Sequence, residues 1–134
     1  MKYFTIKELT NSATAKRKGI SNIPDKRTQA SLVALIYNIL DPLREAYGKP
    51  IAVSSGYRCP TLNRLVGGAP TSQHLRGEAA DIHTVPNTQE DNKKLFELIQ
   101  KLKLPFDQLI DEYNYKWVHV SYSGRNRRQV LHIK

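Results

Sequence analysis

Leu32, Leu35, Ile36, Ile39, Leu40 and Leu43 follow an i, i+3, i+4, i+7 spacing that lays one apolar stripe along a helix from about Pro24 to Tyr47. Pro42 is expected to kink that helix, since it lacks an N–H and its ring crowds the preceding turn, and Gly48 to stop it. A second stripe, Leu95, Leu98, Ile99 and Leu102, predicts a helix capped by Asn87 with Glu90 in the capping-box position, and Pro105 marks its exit. Shorter helices are read from Ile6 to about Ser12 and from Pro60 to Val66. Strand patterns fall at Ile51–Ser54, at Glu78–His83, where Ala79 and Ala80 imply that other chain packs close by, and at Gln129–Ile133. Gln108–Glu112 and Trp117–Tyr122, joined by Tyr113–Lys116, read as a β-hairpin. Interleaved helices and short strands of this kind predict an α+β fold, a small antiparallel sheet with helices packed on it.

Composition adds boundaries to that picture. A chain of 134 residues that is 40% hydrophobic fits one domain, 1–134, with a core that needs no disulfide or metal staple. Cys59 is the only cysteine, so an intramolecular disulfide is impossible. The formal net charge of +9 points to an anionic partner: nucleic acid, a membrane surface or the acidic polymers of a cell wall. No acidic residue follows Val120, and Arg125, Arg127, Arg128 and Lys134 make the tail locally basic, although a solvated surface would look the same. The chain carries no recognisable nucleic-acid-binding motif, so nucleic acid is not the expected partner. Met1–Glu8 lacks the apolar run of a signal peptide and no stretch suits a bilayer span. The expectation is a soluble, monomeric chain made in the cytoplasm, without membrane insertion, that meets an external substrate only if released.

The chemistry concentrates in Ser72-Gln73-His74-Leu75-Arg76-Gly77-Glu78-Ala79-Ala80-Asp81. His74 sits in a loop and Asp81 in the following strand, so a turn through Gly77 can fold both side chains toward one point. His119 alternates with Val118 and Val120, which point to the opposite face of their strand. Together the three offer the nitrogen and oxygen donors of a hydrolytic zinc site that keeps one position for water. His83, two residues from Asp81, would share its side of the strand and is a candidate to hydrogen-bond a ligand. His132 reads as a surface residue, Cys59 as packing, and Tyr57, Trp117 and Tyr122 as hydrophobic walls that also suit a peptide cleft.

These residues resemble a known family. Ser54-Ser55-Gly56-Tyr57-Arg58, Leu62-Asn63, Val66-Gly67-Gly68-Ala69, the His74 to Asp81-Ile82 segment and Trp117-Val118-His119-Val120-Ser121 are similar in type, order and spacing to the zinc D-alanyl-D-alanine carboxypeptidases. That family includes phage endolysins and peptidases that cut peptidoglycan stem peptides, and it shares its fold with the hedgehog signalling domain. The resemblance implies zinc held by His74, Asp81 and His119, a substrate carboxylate held by Arg58, and Ser72 lining the cleft against the substrate backbone. It implies hydrolysis of a stem-peptide amide bond. One departure stands out: well-known members carry the catalytic glutamate three residues before the last histidine, where this chain has Lys116. That departure motivates a rival reading, an inactive metal- or wall-binding module with the same fold. The nearest acids are Asp111 and Glu112, and strand parity separates them. An even hairpin loop such as Tyr113–Lys116 pairs Glu112 with Trp117 and puts it on the face of His119, whereas an odd loop would put Asp111 there. Even loops include the commonest hairpin turn, so Glu112 is the expected base.

Overall fold

Five strands build one sheet in the spatial order β1-β2-β4-β3-β5. In the computed structural model, which describes residues 1–134, they are β1 Ile51–Ser55, β2 Ala79–Thr84, β3 Gln108–Glu112, β4 Trp117–Ser121 and β5 Gln129–Ile133. Neighbouring strands are antiparallel except that β5 runs parallel to β3, with Leu109 opposite Val130, so the sheet is mixed rather than wholly antiparallel as the sequence suggested. The cause is the connection out of β4: it returns past the start of β3, where Arg128 N–H donates to the Phe106 carbonyl and Gln129 N–H to that of Asp107. From there β5 can only follow β3 in its own direction. The expected α+β class holds.

The apolar stripe forms a continuous helical run of α3 (Lys26–Leu35), a π turn (Ile36–Leu40) and α4 (Asp41–Tyr47), preceded by the short α1 (Ile6–Thr10) and α2 (Ala13–Lys18) and followed, after β1, by α5 (Pro60–Leu65). Asp25 caps the start of α3, accepting the Thr28 N–H at 2.8 Å, and Gly48 ends α4 in the left-handed conformation at φ 76°. Helical turns continue through Pro42. It has no N–H for the Asn38 carbonyl and its ring crowds that group, and the backbone widens so that Asp41 N–H donates to Ile36 instead. All six stripe residues are fully buried and share one core with Leu95 and Ile99 of α6 (Gln89–Lys101) and with Ile82, Leu109, Val118 and Val120 from the sheet. At about 1.5–3 kcal/mol for each such side chain, this face supplies most of what fixes the sheet in place.

Two details of α6 bear on the site. Its cap is Thr88, whose hydroxyl accepts the Asp91 N–H at 3.1 Å, and not Asn87 as the sequence suggested. The helix begins one residue later than a cap at Asn87 requires, which leaves Asn87 to accept from Asn92 Nδ2 at 2.7 Å. Asn92 is itself fully buried, accepts the Thr84 N–H at 2.9 Å, and donates to the carbonyls of Tyr115 and Lys116 at 2.9 and 3.2 Å. It thereby ties the end of β2 to the hairpin loop. No helix is long and apolar enough to cross a membrane.

Candidate metal centre and its cleft

Val118 and Val120 are fully buried on the core face of β4, so Trp117 and His119 project from the other face. Register then assembles the site. His119 lies directly opposite Asp81 on β2 and opposite Ile110 on β3, and Glu112 opposite Trp117. His74 arrives from a 3₁₀ turn, Gln73–Arg76, that is closed at both ends. Ser72 Oγ accepts the His74 N–H at 3.1 Å, and Gly77 adopts φ 70° while its N–H returns to the carbonyls of Gln73 and His74. A side chain at Gly77 would meet the Thr28 carbonyl at 2.8 Å, so both the turn and the close approach to α3 require glycine there.

One donor atom from each of His74, Asp81 and His119 lies within 4.8 Å of the others. Asp81 Oδ1 sits between the two imidazoles, 3.4 Å from His74 Nε2 and 3.0 Å from His119 Nδ1, and the rings meet edge to face with centroids 5.1 Å apart. The far nitrogen of His74, Nδ1, lies 2.7 Å from the Gly56 carbonyl. A carbonyl only accepts, so Nδ1 carries a proton, and Nε2 is the nitrogen turned toward Asp81 and left to serve as a metal ligand once it has no proton of its own. Burial pushes the Asp81 carboxyl up, but hydrogen bonds from His119 and His74 outweigh it and hold the group well below the usual carboxylate range. Two imidazole nitrogens and an ionised carboxylate, converging in a water-accessible cleft, are a donor set that suits zinc in a hydrolytic site.

Glu112 completes the centre. Its Oε2 lies 3.9 Å from His119 Nδ1 and accepts the Trp117 indole N–H at 3.0 Å. Burial, then the neighbouring charge of Asp81, raise its carboxyl above the ordinary value. Asp111 faces away, accepting the Tyr115 N–H at 2.6 Å and pairing with His132 Nδ1 at 3.1 Å. The four-residue loop between β3 and β4 contains three consecutive left-handed residues, Tyr113, Asn114 and Tyr115, at φ 54°, 56° and 61°. Such residues are strained. The Asp111 carboxylate, Asn92 and Gln89, whose Nε2 donates to Asn114 O at 2.9 Å, hold them in place.

Arg58 follows β1 in a turn fixed from three sides. Its N–H donates to the His74 carbonyl at 3.1 Å, the Tyr57 N–H to Leu9 at 2.7 Å, and Asn22 bonds both the Tyr57 carbonyl and the Cys59 N–H. The guanidinium reaches Ser72 Oγ at 3.4 Å, and its buried Nε has no hydrogen-bond partner. Burial lowers its pKa against the opposing pull of Asp81 and Glu112.

A cleft of about 660 Å³ takes in all six sequence-predicted site residues, Arg58, Ser72, His74, Asp81, Glu112 and His119. His83 does not belong to it: it pairs with Ala52 on β1 and hydrogen-bonds none of the three donors, because two residues along β2 carry it about 7 Å past Asp81. Of the three aromatic walls only Trp117 lines the cleft, while Tyr57 and Tyr122 pack on the core. His132 is exposed as expected yet tied to Asp111. Sequence reasoning missed Gly56, Asn22, Gln73 and Asp107. Gly56 alone had a visible sign, its place in the turn before Arg58.

A family model, peptidase M15, matches residues 2–121. A zinc D-Ala-D-Ala carboxypeptidase of Streptomyces albus G is 50% identical over 44 residues, which cover 32% of this chain and only 17% of that protein. The short match limits what passes from that enzyme, but the family model spans every element that places His74, Asp81, His119 and Glu112, and on that ground the chain belongs to the peptidase M15 family.

Proposed function

We propose that this chain is a zinc-dependent metallopeptidase that hydrolyses an amide bond of peptidoglycan stem peptides, in the manner of a D-Ala-D-Ala carboxypeptidase or an endolysin. The observation that carries the reading is the convergence of His74 Nε2, Asp81 Oδ1 and His119 Nδ1 within 4.8 Å, with the Glu112 carboxylate 3.9 Å from His119 Nδ1. His74, Asp81 and His119 would hold zinc, which would supply a Lewis acid for the scissile carbonyl and bring the pKa of water toward ~7. Glu112 takes a proton from the attacking water as its oxygen bonds to the carbonyl carbon, and returns that proton to the amine as the C–N bond breaks. A carboxyl raised by burial suits both halves of that transfer. Arg58, whose guanidinium lines the cleft beside Ser72, holds a substrate carboxylate, and Ser72 contacts the substrate backbone while bracing the turn that carries His74. The basic surface keeps the enzyme near anionic wall polymer once it is released there.

Glu112 on the His119 face supports turnover over an inactive binding module, since the lysine at the usual base position is replaced in function by an acid from the preceding strand. The test is metal analysis paired with mass spectrometry of muropeptides after digestion of purified peptidoglycan. The expected result is one zinc per chain, lost in His119→Ala and kept in His132→Ala, with new fragments that identify the bond cut. Full zinc retention in His119→Ala would overturn the site. Stoichiometric zinc with no new fragment would favour the binding module.

A further inference from the structure

We propose that Arg125 and Arg127 form a second carboxylate-binding subsite of the cleft, so that the favoured substrate is a peptide with a free carboxylate on each side of the scissile amide. This deepens the peptidase reading above and rests on it. Both arginines line the same cleft as the metal centre, and they lie beyond the residues matched to the family. Beneath them is Asp107, fully buried. Arg127 grips its carboxylate with two prongs, Nε to Oδ1 at 2.8 Å and Nη2 to Oδ2 at 3.0 Å, and adds its backbone N–H at 3.2 Å. Arg125 Nη2 reaches Oδ2 at 3.3 Å, and Gln73 Nε2 donates to Oδ2 at 2.9 Å. One guanidinium is enough to neutralise one carboxylate, yet two are supplied. Their side chains remain 53% and 43% exposed, so N–H groups that Asp107 does not use stay accessible from the cleft. A carboxylate buried without such partners would be costly, and here it serves to lock a guanidinium in one orientation before any ligand arrives.

Topology sets this pair against Arg58. Arg58 follows β1, and Arg125 and Arg127 precede β5, which are the two outer strands of the sheet. Asp81 and His119 lie on β2 and β4 between them. Four strand spacings of about 4.8 Å put the outer strands on the order of 19 Å apart, and side chains reaching inward over the sheet leave between the two arginine groups at most a span of roughly five extended residues. The Gln73–His74 turn links both ends, since the His74 carbonyl holds the Arg58 N–H while Gln73 holds Asp107. A stem peptide meets this requirement when its γ-linked D-glutamyl residue keeps the α-carboxylate free and its C-terminus is also free.

The experiment uses two synthetic stem peptides that differ only in that glutamyl group, carboxylate or carboxamide, titrated calorimetrically into zinc-loaded protein carrying Glu112→Gln to stop turnover. The acid form is expected to bind about 10-fold or more tighter, the worth of a charge-assisted pair. Adding Arg125→Gln should bring the ratio close to one, and Arg125→Lys should restore part of it. Arginine Nε–H resonances followed by NMR in the same titrations read the subsite directly. Shifts at Arg125 and Arg127 with the acid peptide only support the proposal. Shifts confined to Arg58, or an acid-to-amide ratio that Arg125→Gln leaves unchanged, overturn the subsite and leave the peptidase reading intact. Absence of any shift in the cleft, Arg58 included, overturns both.

Discussion

Glu112→Gln and Asp111→Asn, neighbouring changes of the same chemical kind, should fail in opposite ways. Glu112 shares the cleft face with His119, and a carboxylate that moves a proton in the transition state is worth about 10²–10⁴ in rate, or roughly 2.7–5.5 kcal/mol of barrier. Glutamine keeps an oxygen to accept the Trp117 indole N–H, now at 3.0 Å, and removes a charge that burial and Asp81 disfavour. Folding stability of the metal-free variant should therefore be unchanged or higher. Asp111 is the converse case: it touches nothing in the cleft, but it holds the Tyr115 N–H at 2.6 Å under a strained loop and pairs with His132. Losing its charge should cost about 1–2 kcal/mol, a fall in Tm of roughly 3–8 °C, with kcat within a few-fold of the parent. The assay is release of new amino groups from purified peptidoglycan, alongside thermal melts in a chelator and zinc analysis of each variant. If Asp111→Asn lost the activity and Glu112→Gln kept it, the assignment of the base from strand parity would be refuted. Zinc lost along with activity in Glu112→Gln would show that Glu112 acts as a ligand and not as a base.

Arg58→Lys keeps the charge but not the two-pronged geometry, so kcat/KM should fall by ~10-fold or more with zinc content unchanged; parent-like kinetics would remove Arg58 from substrate binding. Gly56→Ala would drive a Cβ into the Leu9 carbonyl oxygen and shift the carbonyl that orients His74. The expected cost is about 1–3 kcal/mol of stability and ~10–100-fold in zinc affinity, read by melts and competitive chelation. Asp107→Asn should lower stability by about 2–3 kcal/mol at neutral pH while leaving zinc bound. Because the Arg127 hydrogen bonds depress the Asp107 carboxyl, its contribution is present above the unfolded value of about 4 and is lost as pH falls below it. Melts from pH 7 to pH 2 should accordingly show a shallower acid loss in the variant than in the parent, and parallel curves would contradict the pairing.

The three converging side chains were legible because each carried a local sign. His119 breaks an otherwise apolar alternation, and His74 and Asp81 flank a glycine that can only be a turn. The place of Glu112 on the His119 face was legible for a different reason: parity in a hairpin is arithmetic once the loop length is known, and the loop is even. What stayed hidden depends on contacts far apart in sequence. Asp107 is an unremarkable residue between Phe106 and Gln108 until Arg127, twenty positions on, folds over it. The arginine run after Val120 looked like solvated charge for the same reason. Asn87 was a plausible cap on composition, but Thr88 satisfies the same orphan N–H groups one position later, a difference too small for residue type to decide. The parallel placement of β5 follows from hydrogen bonds to Phe106 and Asp107 that no pattern within β5 encodes.

Strand β3 gathers these demands into five residues. Gln108, Ile110 and Glu112 face the cleft, while Leu109 and Asp111 face away, with Leu109 fully buried in the core. The buried Leu109 fixes the register, because a slip by one residue would expose it and send Glu112 inward. Asp111 then constrains what lies C-terminal to the strand, through the Tyr115 N–H, and the outer strand β5, through His132. Asp107, one residue before the strand, constrains the arginine loop that leads into β5. Each buried carboxylate would be unfavourable alone and is stabilised only by the groups it positions. The chemistry on one face is thus held in register by the packing on the other, and substitutions at Leu109 or Val120, though on the opposite face from every donor atom, are expected to lower activity by letting the hairpin shift.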